Sequence, residues 1–102
     1  MITRIVKLTF QEDKIIDFLV YFETIKHQVN SFPGCHGMKL LQDIHHTCTV
    51  MTYSAWDNEE ALNMYRDSEI FGIVWPTIKP WFAQKAEAWS VKEYFSGFIE
   101  TK

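Results

Sequence analysis

Four histidines, four tyrosines and four tryptophans are the side chains of this sequence with the most chemistry to offer. Histidine is the group that titrates near neutral pH. His36 follows the Pro33-Gly34 turn at the start of an extended stretch; facing a cavity it would be the best general base, and facing solvent it would be inert. Trp56 ends a strand-like run, and its indole N–H is a donor only, suited either to a substrate oxygen or to packing on a helix. Tyr65 lies about two turns into a helical segment and can aim its hydroxyl into the same space or simply fill the core. Tyr53, Phe71 and Trp75 are the other aromatic candidates for lining a binding pocket, where apolar walls with a few placed polar groups are the rule. An aromatic stripe at helical spacing serves a core as well as a substrate box. His27 falls on a helix surface. His45 and His46 are adjacent, so in an extended chain their rings diverge, and with Asp43 as the local acid they make a poor metal site. No metal site is expected. The sequence has no glycine-rich phosphate loop, no Ser-His-Asp order and no paired-cysteine motif, so no nucleotide, flavin or other cofactor is expected.

These residues must be positioned by a chain of 102 residues, enough for one domain, residues 1–102, and one core. The hydrophobic share is 47% and the aromatic share 16%, which favours a folded domain that needs no disulfide staples. Net charge is −3 with no basic run, against a phosphate-neutralising nucleic-acid surface. No apolar run approaches the ~18 residues of a membrane helix, and the first residues lack the order of a signal peptide. A cytoplasmic protein is expected. In the hairpin described below, Cys48 would sit opposite Asp43, leaving Cys35 on the order of 26 Å away, beyond the ~7 Å Cα separation of a disulfide. Two free thiols are expected.

Ile2, Val6, Leu8 and Phe10 alternate with Thr3, Ile5, Lys7 and Thr9, the period of a strand with one buried face. From Lys14, behind a possible Asp13 cap, Ile15, Phe18, Leu19, Phe22, Ile25 and Val29 recur at helical spacing until Pro33-Gly34. Residues 35–44 and 48–56 read as two strands of an antiparallel hairpin. Asp57, with Glu60 three residues on, predicts a capped helix start, Ser68 a second start, and Pro76 and Pro80 a break into short turns. Residues 88–95 predict a last strand. The order β-α-β-β-α-β predicts an α+β, ferredoxin-like domain: a four-stranded antiparallel sheet with both helices on one face. The other face carries Met51 and Tyr53 and is not clearly polar. An apolar face of that size marks an interface, and the simplest cover is a second copy. A homodimer is expected.

The stretches Phe32-Pro33-Gly34-Cys35, Leu40-Leu41-Gln42-Asp43, Thr52-Tyr53-Ser54-Ala55-Trp56, Glu59-Glu60-Ala61-Leu62 and Tyr65 through Phe71, in that order and spacing, resemble the antibiotic biosynthesis monooxygenase family over nearly the whole chain. The resemblance implies a dimeric α/β barrel with a pocket in each subunit between sheet and helices. It implies either a cofactor-independent monooxygenase of an aromatic, quinol- or polyketide-like small molecule, or a non-catalytic member that binds a hydrophobic small molecule. Two departures narrow this. The heme-degrading branch has a histidine where Trp75 stands and an asparagine in the first strand, where this chain has Val6 and Lys7, so heme degradation is not expected. The polyketide branch has an asparagine four residues before the strand-three tryptophan; here that position is Thr52.

Overall fold

The alternation at the start of the chain forms strand β1, Ile2–Thr9, followed by helix α1, Ile15–Asn30, and strands β2, Cys35–Gln42, and β3, Thr49–Trp56. Helices α2, Glu59–Arg66, and α3, Glu69–Ile78, come next, then a 3₁₀ turn, Lys79–Trp81, and strand β4, Glu87–Val91. This is a computed structural model, and it describes residues 1–99, leaving 100–102 of the expected 1–102 domain outside the described residues. The strands form one antiparallel sheet in the order β2-β3-β1-β4, the α+β ferredoxin-like arrangement. β1 lies at the centre, running from Ile2 opposite Trp56 to Thr9 opposite Thr49.

Strand periodicity sorts the side chains into two layers. Leu8, Phe10 and Val50 pack with Phe18 and Ile25 of α1 and with Val74 and Ile78 of α3 to form the core. Among the described residues no helix covers the other face. In register across the four strands it presents Lys39, Tyr53, Ile5 and Trp89 in one row and Leu41, Met51, Lys7 and Glu87 in the next.

Several boundaries differ from the sequence expectation, each for a local reason. β4 covers residues 87–91 rather than 88–95, because its pairing with β1 stops at Val91, opposite Thr3. Tyr94 and Phe95, beyond it, are exposed. The hairpin register is one residue off the expected one. The Asp43 N–H donates to the Thr49 carbonyl at 3.0 Å, not to Cys48, because the loop is longer than three residues. Asp43 closes it by accepting the amides of His45 and His46 at 2.8 and 3.0 Å. Those two bonds hold its carboxyl below the usual carboxylate range. Cys35 and Cys48 are free.

The helix caps also moved. Residue 14, not Asp13, is the α1 cap position, with no side-chain bond; the opening amides donate to the Gln11 carbonyl instead. Asn58, not Asp57, caps α2, accepting the Ala61 amide at 2.9 Å, and the Asp57 carboxylate is engaged by His36 instead. Ser68 caps α3 as expected, through the Phe71 amide. α3 continues through Pro76 to Ile78. A helix-interior proline costs about 3 kcal/mol, but burial of Val74 and Ile78, at about 1.5–3 kcal/mol each, outweighs it. The carbonyl it orphans belongs to Gly72, which faces solvent.

One glycine is essential to the geometry of the next section. Gly34 has φ +86, and a Cβ there would lie 2.6 Å from that of Ala61. Its carbonyl accepts the Asp57 amide at 2.9 Å. The turn before β2 is thus clasped to the β3–α2 junction, which sets Trp56 against the helices.

Candidate functional site

Between the helix-side face of the sheet and the three helices lies a cavity of about 350 Å³, toward the lower end of the ~300–1,000 Å³ of small-molecule sites. Its floor is the even-numbered side of β1 and β3, including Val6, Thr52 and Ser54. One wall is a continuous aromatic run. Trp56 and Tyr65 have ring centroids 5.1 Å apart, Tyr65 and Phe71 5.3 Å, and Phe71 stacks on Trp75 at 5.7 Å and 9°. β3 delivers Trp56, α2 delivers Tyr65, and α3 delivers Phe71 and Trp75 one turn apart.

The polar groups are few. The Trp56 indole N–H donates to Ser54 Oγ at 2.9 Å, both residues buried, so the indole donor is already used and the Ser54 hydroxyl proton is the one left to aim at a ligand. Arg4 comes off the floor of β1 and donates to Ser90 Oγ at 3.0 Å, and Arg66 of α2 also lines the space. Burial lowers the Arg4 pKa, and the Arg66 charge lowers it further; a guanidinium nonetheless stays charged in a protein.

Burial in this wall, and to a lesser degree the proximity of Cys35, pushes the Tyr65 phenol up to about 12. It is a donor at any physiological pH. The unfolded phenol ionises near 10, so above that pH the unfolded state releases its proton first. Stability is therefore full below pH ~10 and falls as pH climbs toward 12, by as much as about 2 kcal/mol. Chemical denaturation at stepped pH should show that slope in the native chain and lose it in Tyr65→Phe.

Residues 1–72, which take in β1 through the first turn of α3, match the model of the antibiotic biosynthesis monooxygenase family. The chain belongs to that family. Solved structures agree on the fold. A Nitrosomonas europaea protein provisionally named an antibiotic biosynthesis monooxygenase is similar at TM-score 0.85 and 17% identity, over 93% of this chain and 100% of that one. A conserved protein of Methanosarcina mazei matches at 0.84 and 16%, over 91% and 93%. One from Mycobacterium tuberculosis matches at 0.84 and only 9%, over 95% and 98%. A search of curated protein sequences found no match. Membership of the antibiotic biosynthesis monooxygenases supports a general monooxygenase-like role.

Within this family member, the cavity gathers four of the six residues singled out from the sequence: Trp56, Tyr65, Phe71 and Trp75. It does not gather His36 or Tyr53. His36 is 47% exposed and paired with the Asp57 carboxylate, outside the cavity lining. The condition for its use as a base, that it face the cavity, is not met. Tyr53 neighbours two floor residues, Thr52 and Ser54, and strand alternation turns it to the opposite face, where the Lys39 amine lies 5.6 Å above its ring. Among the described residues that line it no carboxylate and no imidazole appears. Sequence reasoning missed Arg4 and Ser54. A signal for Arg4 existed: it occupies the same parity as Ile2, Val6 and Leu8, a charge placed in the buried register of an alternating strand. Among the described residues, no cluster of three His, Cys, Asp or Glu stands close enough to hold a metal, and no helix is long and apolar enough to cross a membrane.

Proposed function

We propose that this family member is a cofactor-independent monooxygenase of an aromatic, quinol- or polyketide-like small molecule, working as a homodimer. The observation that carries the reading is the cavity: flat aromatic walls around a floor with very few polar groups. Such a reaction asks the protein for little beyond that. A ring methylene flanked by phenolic rings loses a proton to give a delocalised carbanion. That anion passes electrons to O2, and a carbon–oxygen bond forms. The O–O bond then breaks, one oxygen staying as a new carbonyl and the other leaving as water. The methylene carbon supplies all four electrons, so R2CH2 + O2 → R2CO + H2O balances with no added reductant. The protein's share is to bind and orient the ring, to stabilise the anion with fixed donors, and to keep water out. Protonated Tyr65 and the Ser54 hydroxyl are donors in the cavity; Trp56, Phe71 and Trp75 hold the ring flat.

A second copy would cover the sheet face that has no helix. Tyr53, Trp89, Val91 and Leu41 on that face are 40–48% exposed, an apolar patch of the kind monomers rarely show. The free thiols suit a reducing compartment, and we place the protein in the cytoplasm.

The absence of carboxylate and imidazole among the described lining residues favours one rival reading, a non-catalytic barrel that binds a hydrophobic small molecule. Oxygen consumption with a panel of quinols and anthrones, without added cofactor, separates the two. Uptake above the protein-free rate is expected, falling roughly tenfold or more in a Trp56→Phe, Tyr65→Phe double variant through loss of the phenol donor and the shifted Ser54 hydroxyl. No substrate-dependent uptake anywhere in the panel would leave the binding reading in its place.

A further inference from the structure

We infer that the cavity receives an aromatic anion, its charged oxygen gripped by the guanidinium of Arg4 with Arg66 and Ser54 alongside. This rests on the cavity being the substrate site and names the class of molecule it takes: a flat ring bearing a carboxylate or an ionised phenol or enol oxygen.

The argument begins with sheet register. Ser54, Arg4 and Ser90 are direct cross-strand neighbours on β3, β1 and β4. They form one polar row on a sheet face whose adjacent row is Thr52, Val6 and Ala88. Arg4 thus has a hydroxyl on either side, and it bonds to one of them, Ser90. A guanidinium has five N–H donors, and this is the one side-chain hydrogen bond it makes among the described residues. None of the ion pairs among the described residues involves Arg4 or Arg66; they join Lys14 to Asp17, Lys26 to Glu23 and His36 to Asp57. The acid nearest in register, Glu87, lies opposite Lys7 in the sheet and points to the other face.

Two positive charges therefore line one mostly apolar cavity, Arg4 half-buried and Arg66 exposed, with no carboxylate among the described residues that line it. Partly desolvating the Arg4 charge with no ionic partner has a cost, and the like charge of Arg66 adds to it. An anionic ligand relieves both terms. The planar fork of arginine fits a carboxylate or paired oxygens two bonds at a time, and the aromatic wall from Trp56 to Trp75 selects the ring behind them. The same arrangement explains how chemistry proceeds without a base in the lining. A ring methylene beside a carbonyl can enter as its enol tautomer. In this field the enol O–H ionises more readily, its proton leaves to water before the ligand is enclosed, and the guanidinium holds the same delocalised anion that loss of the methylene proton would give.

The test compares naphthoate with its neutral isostere naphthamide, titrated against the full chain and followed by quenching of tryptophan fluorescence or by calorimetry. Naphthoate is expected to bind the wild type roughly ten- to a hundredfold more tightly than naphthamide at low salt. Arg4→Gln is expected to erase that preference while naphthamide affinity stays within about twofold, and Arg4→Lys to restore part of it. Equal affinity of the two ligands for the wild type, which needs no variant to fold and which a partner-chain carboxylate seated on Arg4 would also produce, overturns the inference. So does a preference that survives Arg4→Gln. Arg4-dependent selection of the anion with no oxygen uptake sustains this inference and sinks the monooxygenase; oxygen uptake on quinols with no preference for anions does the reverse.

Discussion

Tyr53→Glu combined with Trp89→Glu is expected to turn a dimer of the 12.1 kDa chain into a monomer at micromolar concentration. The two side chains flank Ile5 in one row across the open face of the sheet. In the homodimer proposed above they lie near the centre of the covered patch. A twofold axis repeats both introduced carboxylates on the facing sheet, so that four share one covered patch, and like charges juxtaposed at an interface cost several kcal/mol. With tenfold in Kd for each 1.4 kcal/mol, association should weaken by at least about a hundredfold. Sedimentation equilibrium of both proteins decides it. The helix-side core is untouched, so the far-ultraviolet circular dichroism of the variant should match the native spectrum. A native chain that sediments as a monomer at that concentration would remove the dimer altogether.

Phe10→Ala is the substitution expected to cost most in stability, about 3–5 kcal/mol. Phe10 is 1% exposed. Its ring stacks on Phe18 at 4.4 Å and meets Phe82 edge-on at 5.3 Å, and its backbone bridges to Phe82. It ties the end of β1, α1 and the segment after the 3₁₀ turn together. For a domain of this size the loss corresponds to a fall in Tm of roughly 15–30 °C. Urea melts at one fixed protein concentration should measure it, since association would otherwise shift the midpoint. Phe95→Ala is the control: Phe95 is 81% exposed and should change stability by no more than about 0.5 kcal/mol. Equal losses at the two positions would mean that the core has been assigned to the wrong face.

The parts of the site that could be read from the sequence are those set by local periodicity. Trp56, Tyr65, Phe71 and Trp75 were legible because a strand followed by helices with apolar residues three and four apart leaves few choices for which way each ring points. His36 was not legible. Its neighbours do not say that Asp57, 21 residues away, will bind its imidazole, and Asp57 is free to do so only because Asn58 takes over the cap of α2. Tyr53 illustrates a related difficulty. Its strand face was readable from Met51, but which of two apolar faces the helices cover is a tertiary choice. Arg4 stood in the open, a charge among Ile2, Val6 and Leu8. What could not be seen was that Ser54 and Ser90 would flank it, since that depends on two pairings with strands about 50 and 86 residues distant.

Order and type of the elements, their antiparallel sheet and the aromatic character of the space beneath the helices were determined by the sequence alone, because hydrophobic period, turn residues and ring-bearing side chains act within a few residues of one another. Tertiary structure decided the rest: the register that lines up Ser54, Arg4 and Ser90, the end of β4 at Val91 where its pairing with β1 stops, and the exclusion of His36 from the cavity. Each of these depends on which distant groups meet, and a meeting across the sheet is settled by packing and pairing over the whole domain rather than by any one segment's preference.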